Sequence, residues 1–285
     1  MRRALRAHGR ARRRQARGRA ARHRDRSARG RADVRGRAGP AQGGDAPLFP
    51  ARAGQVVDEG VLFYAWRDCL FRVPDGVQAP KAGSRFFCRH LSVRPGERVL
   101  ELGAGLGLAA VLAAKAGAAV VATDVVPEAV AAVRANAALN GVIIDARLGD
   151  CYAPVAGERF DVVCSNPPQM PTPPGADRED AQAAADNGGP DGWALLDRII
   201  AGAPEHLAPR GRLLFTIFDF LGVKTALAKL EAVGLAPSVL ARETQAFPRI
   251  GYERLAHLRA MDREATLPAG RPATVERLLL EGRAR

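Results

Sequence analysis

Between Arg98 and Phe218, short apolar runs bounded by turn residues alternate with segments of helical spacing, and this alternation constrains the chain more than any other feature. Strands separated by helices must return to their sheet in the same direction, so the pattern predicts a mostly parallel sheet covered by helices on both faces. Strands are expected at 98–102, 119–123, 143–148, 160–165 and 212–218, with helices at 108–115, 128–139 and 193–206 between them. Upstream, 61–64 and 70–73 read as short strands around Trp66 and Asp68, followed by a helix near 84–91. Downstream, a helix near 224–233 precedes strands expected near 238–247 and 254–261.

Charge is distributed unevenly along this frame. The chain of 285 residues has 43 Lys and Arg against 30 Asp and Glu, a formal excess of +13. Residues 1–45 hold sixteen arginines against Asp25, Asp33 and Asp45, which accounts for the whole excess and leaves the rest neutral. The segment has no aromatic residue to stack on a base and no apolar period for a helix. It is expected to be disordered or to lie outside the translated product. The organisation that follows is the Arg-rich extension over 1–45, a strand and helix lead-in over 46–92, the main domain over 93–265, and a tail or helix over 266–285. The most apolar stretch, 106–123, is mostly Ala and Gly with Lys115 at its centre, which argues against a bilayer span. Cys69, Cys88, Cys151 and Cys164 show no Cys-x-x-Cys spacing and no clustering with histidine, so neither a disulfide framework nor a metal site is expected, and a reducing cytoplasm is. His90, His206 and His257 have no visible partner and receive no catalytic role.

Four motifs stand where parallel strands end, which is where open α/β sheets bind ligands. Glu101-Leu-Gly103-Ala-Gly105-Leu-Gly107 joins a strand to a helix, and its glycines permit positive φ and close approach of backbone to a ligand. Its Gly-x-Gly-x-Gly spacing departs from the Gly-x-Gly-x-x-Gly turn of dinucleotide sites and favours a ligand without a pyrophosphate. Asp124 ends the next strand, where a carboxylate can accept from both hydroxyls of a ribose; the alternative is a cap for the helix opened by Pro127. Asp150, preceded by Gly149 and followed by Cys151, comes just after the third strand, where an acid can take the amino group of an adenine; the alternative is a plain turn residue. Asn166-Pro167-Pro168-Gln169 ends the fourth. Its two prolines stop the strand and remove two donors, so the Asn166 amide oxygen and the Pro167 carbonyl are expected as exposed acceptors for an NH₂ group. Accepting both hydrogens frees a delocalised nitrogen lone pair for attack.

With these residues in this order the chain resembles a class I S-adenosylmethionine-dependent methyltransferase. Over about residues 80–220 it is similar to the release-factor glutamine methyltransferases and other Asn-Pro-Pro-Tyr amino methyltransferases, including Gly188-Gly-Pro-Asp191-Gly192 before a helix. The resemblance implies a Rossmann-like α/β fold whose seven-stranded sheet has its last strand antiparallel. It also implies S-adenosylmethionine as cofactor: Glu101 and the turn through Gly103, Gly105 and Gly107 would hold the methionine part, Asp124 the ribose, and Asp150 with Cys151 the adenine. Asn166 and Pro167 would be the catalytic pair, with Pro168 and Gln169 beside them on the substrate. Gln169 departs from the aromatic usual in that position, and the lead-in reads as strands where release-factor enzymes resemble a helical recognition domain.

A lid over 171–191 carries Asp177, Glu179, Asp180, Asp186 and Asp191 against Arg178 alone, which disfavours nucleic acid. Trp193 and Phe220 are candidates for lining an acceptor pocket. The expected activity is methyl transfer to an amine, amide or guanidine-like nitrogen of a small molecule; protein-glutamine methylation, or methylation of an RNA or DNA base, is the alternative. A small-molecule or peptide acceptor, no metal and no membrane complete the expectation.

Overall fold

A computed structural model describes residues 54–58, 61–176 and 185–285. The Arg-rich extension and Asp177, Arg178, Glu179 and Asp180 of the expected lid lie outside the described residues.

The lead-in forms an antiparallel meander, β1 (Gly54–Asp58), β2 (Val61–Trp66) and β3 (Cys69–Val73), followed by α1 (Ala82–His90). Six elements then begin the main sheet and its cover: β4 (Arg98–Leu102), α2 (Leu108–Lys115), β5 (Ala119–Asp124), α3 (Pro127–Leu139), β6 (Ile144–Leu148) and β7 (Phe160–Ser165). After α4 (Ala194–His206) come β8 (Leu207–Phe218), α5 (Val223–Ala232), β9 (Ala236–Ala246), the short helices α6 (Arg249–Glu253) and α7 (Leu255–Met261), and β10 (Thr274–Arg283). The seven strands lie in the order β6-β5-β4-β7-β8-β10-β9, with β10 antiparallel to both neighbours. The expected α/β, Rossmann-like architecture is the one observed.

Successive strand residues enter opposite cores, as the two-residue period requires. Val99, Val162, Leu214 and Leu279 pack with Phe86, Phe87 and helices α2 and α3. Leu100, Val163, Leu213 and Leu280 pack against Leu196, Ile199 and Leu230 on the other face. The central strands therefore read as unbroken apolar runs rather than alternating ones.

Two downstream expectations are corrected. The strand expected at 254–261 is helical: Leu255 and Leu258 stand three apart, so both meet one core face, and Leu258 is fully buried there. The segment 266–285, expected as a tail or helix, supplies β10 inside the sheet, so the core extends past 265 to Arg283. Leu278, Leu279 and Leu280 are all fully buried because β10 is covered on both faces, and an apolar run buried on both sides has no period that separates strand from helix.

Helix α3 joins the meander to the sheet. Asn136 Oδ1 accepts from the Arg72 N–H at 2.8 Å and its Nδ2 donates to the Arg72 carbonyl at 3.1 Å. One turn on, Asn140 does the same to Leu70, at 3.0 and 2.7 Å. The helical rise over four residues, about 6 Å, nearly equals the strand rise over two, so two helix amides match the ladder of the β3 edge.

Candidate active site

The chain builds β4, β5 and β6 outward in one direction, then crosses back to place β7 on the other side of β4. Loops diverge at such a switch point and leave a crevice at the carboxyl ends of the strands. Here the cleft encloses about 1260 Å³, counted out to open solvent. The turns after β4, β5, β6 and β7 line it, and the lead-in, through Gly76–Pro80, Ser84, Phe87 and Cys88, contributes to its wall.

The floor is the glycine turn. Gly103 and Gly105 have φ of +68° and +54°, and a Cβ on either would meet nothing within 4 Å, so it would project into open space. Gly107 serves differently. A Cβ there would come within 3.2 to 3.4 Å of Val133 on α3, and Gly107 does not line the cleft. Expected as a cofactor contact, it instead allows α2 and α3 to approach each other. Asp124 shapes the turn from the side: its Oδ2 accepts from the Gly105 N–H at 2.8 Å and its Oδ1 from the Val126 N–H at 2.9 Å. Each oxygen keeps acceptor capacity for a ligand, so the capping and ligand readings coexist at one carboxylate.

Glu101 lies beneath, 5% exposed, with Oε2 accepting from the Ala110 N–H at 2.7 Å. Burial pushes its carboxyl up to about 8, the Ala110 N–H opposes that, and the charge on Asp124 adds to it. Asp150 is exposed and accepts from Arg198 Nη2 at 2.7 Å. Cys151 adopts a φ of +50°, its carbonyl accepts from the Thr123 hydroxyl at 3.2 Å, and burial raises its thiol pKa. Among the described lining residues, the acidic side chains are Glu101, which ionises only as pH approaches 8, Asp124 and Asp150, with no Lys or Arg. An anionic cleft with a glycine floor fits a ligand bearing a sulfonium and an ammonium, and S-adenosylmethionine has both.

The Asn-Pro-Pro-Gln turn ends β7. Asn166 and Pro168 line the cleft, whereas Pro167 is buried. Asn166 Oδ1 already accepts from the Thr216 hydroxyl at 2.6 Å, and the Pro167 carbonyl from Gln169 Nε2 at 3.2 Å. The two expected acceptors are thus each half-engaged rather than free, with one lone pair to spare. Gln169, expected on the substrate, is 3% exposed and fully occupied: Nε2 also donates to the Thr216 carbonyl at 3.0 Å and Oε1 accepts from the Phe218 N–H at 2.8 Å. It fastens the turn to β8 and does not line the cleft. The Gly188-Gly-Pro-Asp-Gly192 segment supports the same turn from behind. A Cβ on Gly188 would lie 2.6 Å from the Gln169 backbone, and one on Gly192 would lie 2.6 Å from the Gln169 carbonyl oxygen. Trp193 donates to the Leu221 carbonyl at 3.2 Å, and Phe220 is buried; both belong to the core. Lys81 and Asp186, paired at 3.0 Å, join the start of α1 to the segment that leads into these glycines. The sequence reading missed the lead-in wall and the support from β8 and β10; the one visible signal was Arg277, a charge at the edge of the apolar run Leu278–Leu280.

Fold and cleft together define a class I S-adenosylmethionine-dependent methyltransferase, and the comparisons agree. Residues 77–176 match the family model of the methyltransferase small domain. The chain is 34% identical over 167 residues to a putative protein N5-glutamine methyltransferase of Methanocaldococcus jannaschii, covering 58% of this chain and 84% of that protein. It is 37% identical over 196 residues to the release factor glutamine methyltransferase of Cereibacter sphaeroides, covering 64% of this chain and 67% of that one. In fold it is similar to a chain of the E. cuniculi complex responsible for methylating a translation termination factor, at a TM-score of 0.50 and 19% identity over 74% of this chain and 99% of that chain. The chain belongs to the S-adenosylmethionine-dependent methyltransferase family that includes these glutamine methyltransferases, and S-adenosylmethionine is its cofactor. Among the described residues, no helix is long and apolar enough to cross a membrane.

Proposed function

We propose that this methyltransferase acts on the side-chain amide nitrogen of a glutamine in a protein, in preference to the amine, amide or guanidine-like nitrogen of a small molecule that the motifs alone suggested. The observation that carries the reading is the pair of half-engaged acceptors at the β7 turn, Asn166 Oδ1 on the cleft wall and the Pro167 carbonyl next to it in the chain. Among the described lining residues, the carboxyl groups come from the ends of β4, β5 and β6, and Asn166, Pro168, Gln78, Ser84 and Leu195 are uncharged. A cationic amine or guanidinium would leave its charge uncompensated there, whereas a neutral primary amide brings two hydrogens and no charge. The glutamine methyltransferases among its relatives point the same way.

An amide nitrogen is a weak nucleophile because its lone pair is delocalised into the carbonyl. Bound S-adenosylmethionine supplies a methyl group on a sulfonium, which departs as a neutral thioether. Asn166 and Pro167 accept the two amide hydrogens more strongly as the nitrogen turns tetrahedral, so their effect falls on the rate more than on binding. The nitrogen to methyl bond forms as the sulfur to methyl bond breaks, the electron pair goes to sulfur, and the surplus proton passes to water. Asp124 and the glycine floor would hold the ribose and methionine ends, Glu101 would meet the cofactor ammonium, and Asp150 with Cys151 would border the adenine. Gly107 and Gln169 act behind this surface, one in helix packing and one in bracing the turn.

The test offers labelled S-adenosylmethionine with purified bacterial release factors, ribosomal proteins and a pool of small amines, and then maps the label by mass spectrometry. One added methyl on a glutamine side chain is expected. Label confined to the amine pool would overturn the proposal.

A further inference from the structure

Thr216 stands behind Asn166 on β8, fully buried, and its hydroxyl is the group that donates to Asn166 Oδ1 at 2.6 Å. Two other groups face the same hydroxyl oxygen, Arg277 Nη1 at 3.4 Å and Gln169 Nε2 at 3.4 Å. Both can only donate. The single hydroxyl hydrogen therefore has one place to go, the atom of Asn166 that faces it, and that atom must be oxygen. A carboxamide turned over by 180° would set its NH₂ against a hydroxyl already crowded by donors, with no acceptor left for the hydroxyl hydrogen.

Arg277 is held as firmly as the hydroxyl. Its guanidinium carbon lies 3.9 Å from the Phe218 ring centroid, and its other face is closed by Gly83 of α1, where a Cβ would come within 2.8 Å of the same carbon. Its Nε donates to Gln245 Oε1 at 3.3 Å, and among the described residues no carboxylate forms an ion pair with it. Burial brings its pKa down to about 10, which still leaves it charged at neutral pH, with Asp186 and Glu243 opposing the shift. The face of the Phe218 ring and the acceptors Gln245 Oε1 and Thr216 Oγ1 compensate the buried charge and hold the guanidinium as a donor.

We infer that Thr216, backed by Arg277 from β10, is a positioning residue for methyl transfer: together they fix which atom of the Asn166 carboxamide is the oxygen, and leave the second lone pair of that oxygen for the acceptor hydrogen. The inference deepens the proposed function and rests on Asn166 being the group that receives the acceptor hydrogens. Neither Thr216 nor Arg277 lines the cleft, so both act through Asn166.

The test compares Thr216→Val, Thr216→Ser, Arg277→Met and the Thr216→Val/Arg277→Met double variant with the unaltered full chain. Single-turnover transfer to a bacterial release factor is measured beside calorimetric affinity for S-adenosylhomocysteine. Thr216→Val keeps the shape of the side chain and removes the donor; it should slow transfer about tenfold or more, with cofactor affinity and KM within about twofold. Thr216→Ser should recover most of the rate. Because both residues act along one path, the double variant should be no slower than Thr216→Val. A second readout needs no acceptor: the Asn166 side-chain amide resonances, from asparagine-labelled protein, should be a single sharp pair in the unaltered protein and in Thr216→Ser, and doubled or broadened in Thr216→Val. If the unaltered protein leaves the release factor unmethylated, the substrate reading fails while the resonances still judge the relay. Unchanged resonances in folded Thr216→Val would overturn it, as would a double variant whose losses multiply.

Discussion

The side-chain amide of Asn136 pairs with both backbone groups of Arg72, accepting at 2.8 Å and donating at 3.1 Å, so that a helix side chain stands where a neighbouring strand would be. The same Nδ2 donates to the Leu106 carbonyl at 3.0 Å, inside the glycine turn. One fully buried residue thus ties the lead-in meander to the cofactor floor. Asn136→Ala strands two backbone groups of Arg72 and one of Leu106, and should cost about 2 to 4 kcal/mol. Urea denaturation should show that loss, and calorimetry should show weaker S-adenosylmethionine binding although Asn136 does not line the cleft.

Glu101 gives a pH signature. Its carboxyl is pushed up to about 8 from an ordinary 4.5, so the folded protein keeps a proton that the unfolded chain releases between those values. Stability of the cofactor-free protein therefore falls as pH rises through that window. Glu101→Gln removes the ionisation and should raise Tm relative to the unaltered protein at pH 8, with little difference near pH 4.5.

The same carboxyl must ionise to meet the cofactor ammonium. Binding of S-adenosylmethionine near pH 7 should release a proton and strengthen with pH until about 8. Calorimetry in buffers of different ionisation enthalpy measures the proton directly. Glu101→Gln should abolish the release and weaken binding.

Gly188 leaves the Asn-Pro-Pro-Gln turn no room to retreat. A methyl group there would lie 2.6 Å from the Gln169 backbone, so Gly188→Ala must push the turn out of register with the cleft. Transfer should fall by about 10² or more while circular dichroism and cofactor affinity hold. Full activity would mean that the turn's position is unimportant to the chemistry.

Asn166→Ala should likewise slow transfer on the order of 10²-fold, the usual effect of removing one transition-state hydrogen-bond partner. Cofactor affinity should stay close to normal. Asn166→Asp separates the acceptor classes, since a carboxylate favours a cationic nitrogen and gives little to a neutral amide. A strong recovery in Asn166→Asp would argue for an amine acceptor.

Where local chemistry sets an element, the sequence was enough to place it. The strand over 160–165 ends where Pro167 and Pro168 forbid its continuation, and the helix over 108–115 starts at the glycine turn and stops before Gly117. The elements misread were those set by their neighbours: β10 is a strand because it is inserted between β8 and β9, and Leu278 to Leu280 carry no period to announce it. The site divides in the same way. Gly103, Gly105, Asp124 and Asn166 stand out because their residue types are unusual at strand ends. Gly107 looked like its neighbours although it makes room for Val133, and Gln169 looked available although its amide groups are used by β8. Thr216 and Arg277 have no local mark as a pair, since sheet pairing brings them together across 61 residues.

The strand order also bears on the making of the protein. A ribosome delivers β9 before β10, yet β9 pairs in the sheet with β10 alone, so its backbone groups await a partner that is translated later. Until then β8 also presents an open edge, the kind of surface that recruits foreign strands. Arg277 arrives on that same late strand. A nascent chain stalled before Thr274 already contains the residues of the glycine floor and the Asn-Pro-Pro turn, but not the guanidinium behind Thr216; the donor network behind Asn166 is completed only when β10 is threaded into place.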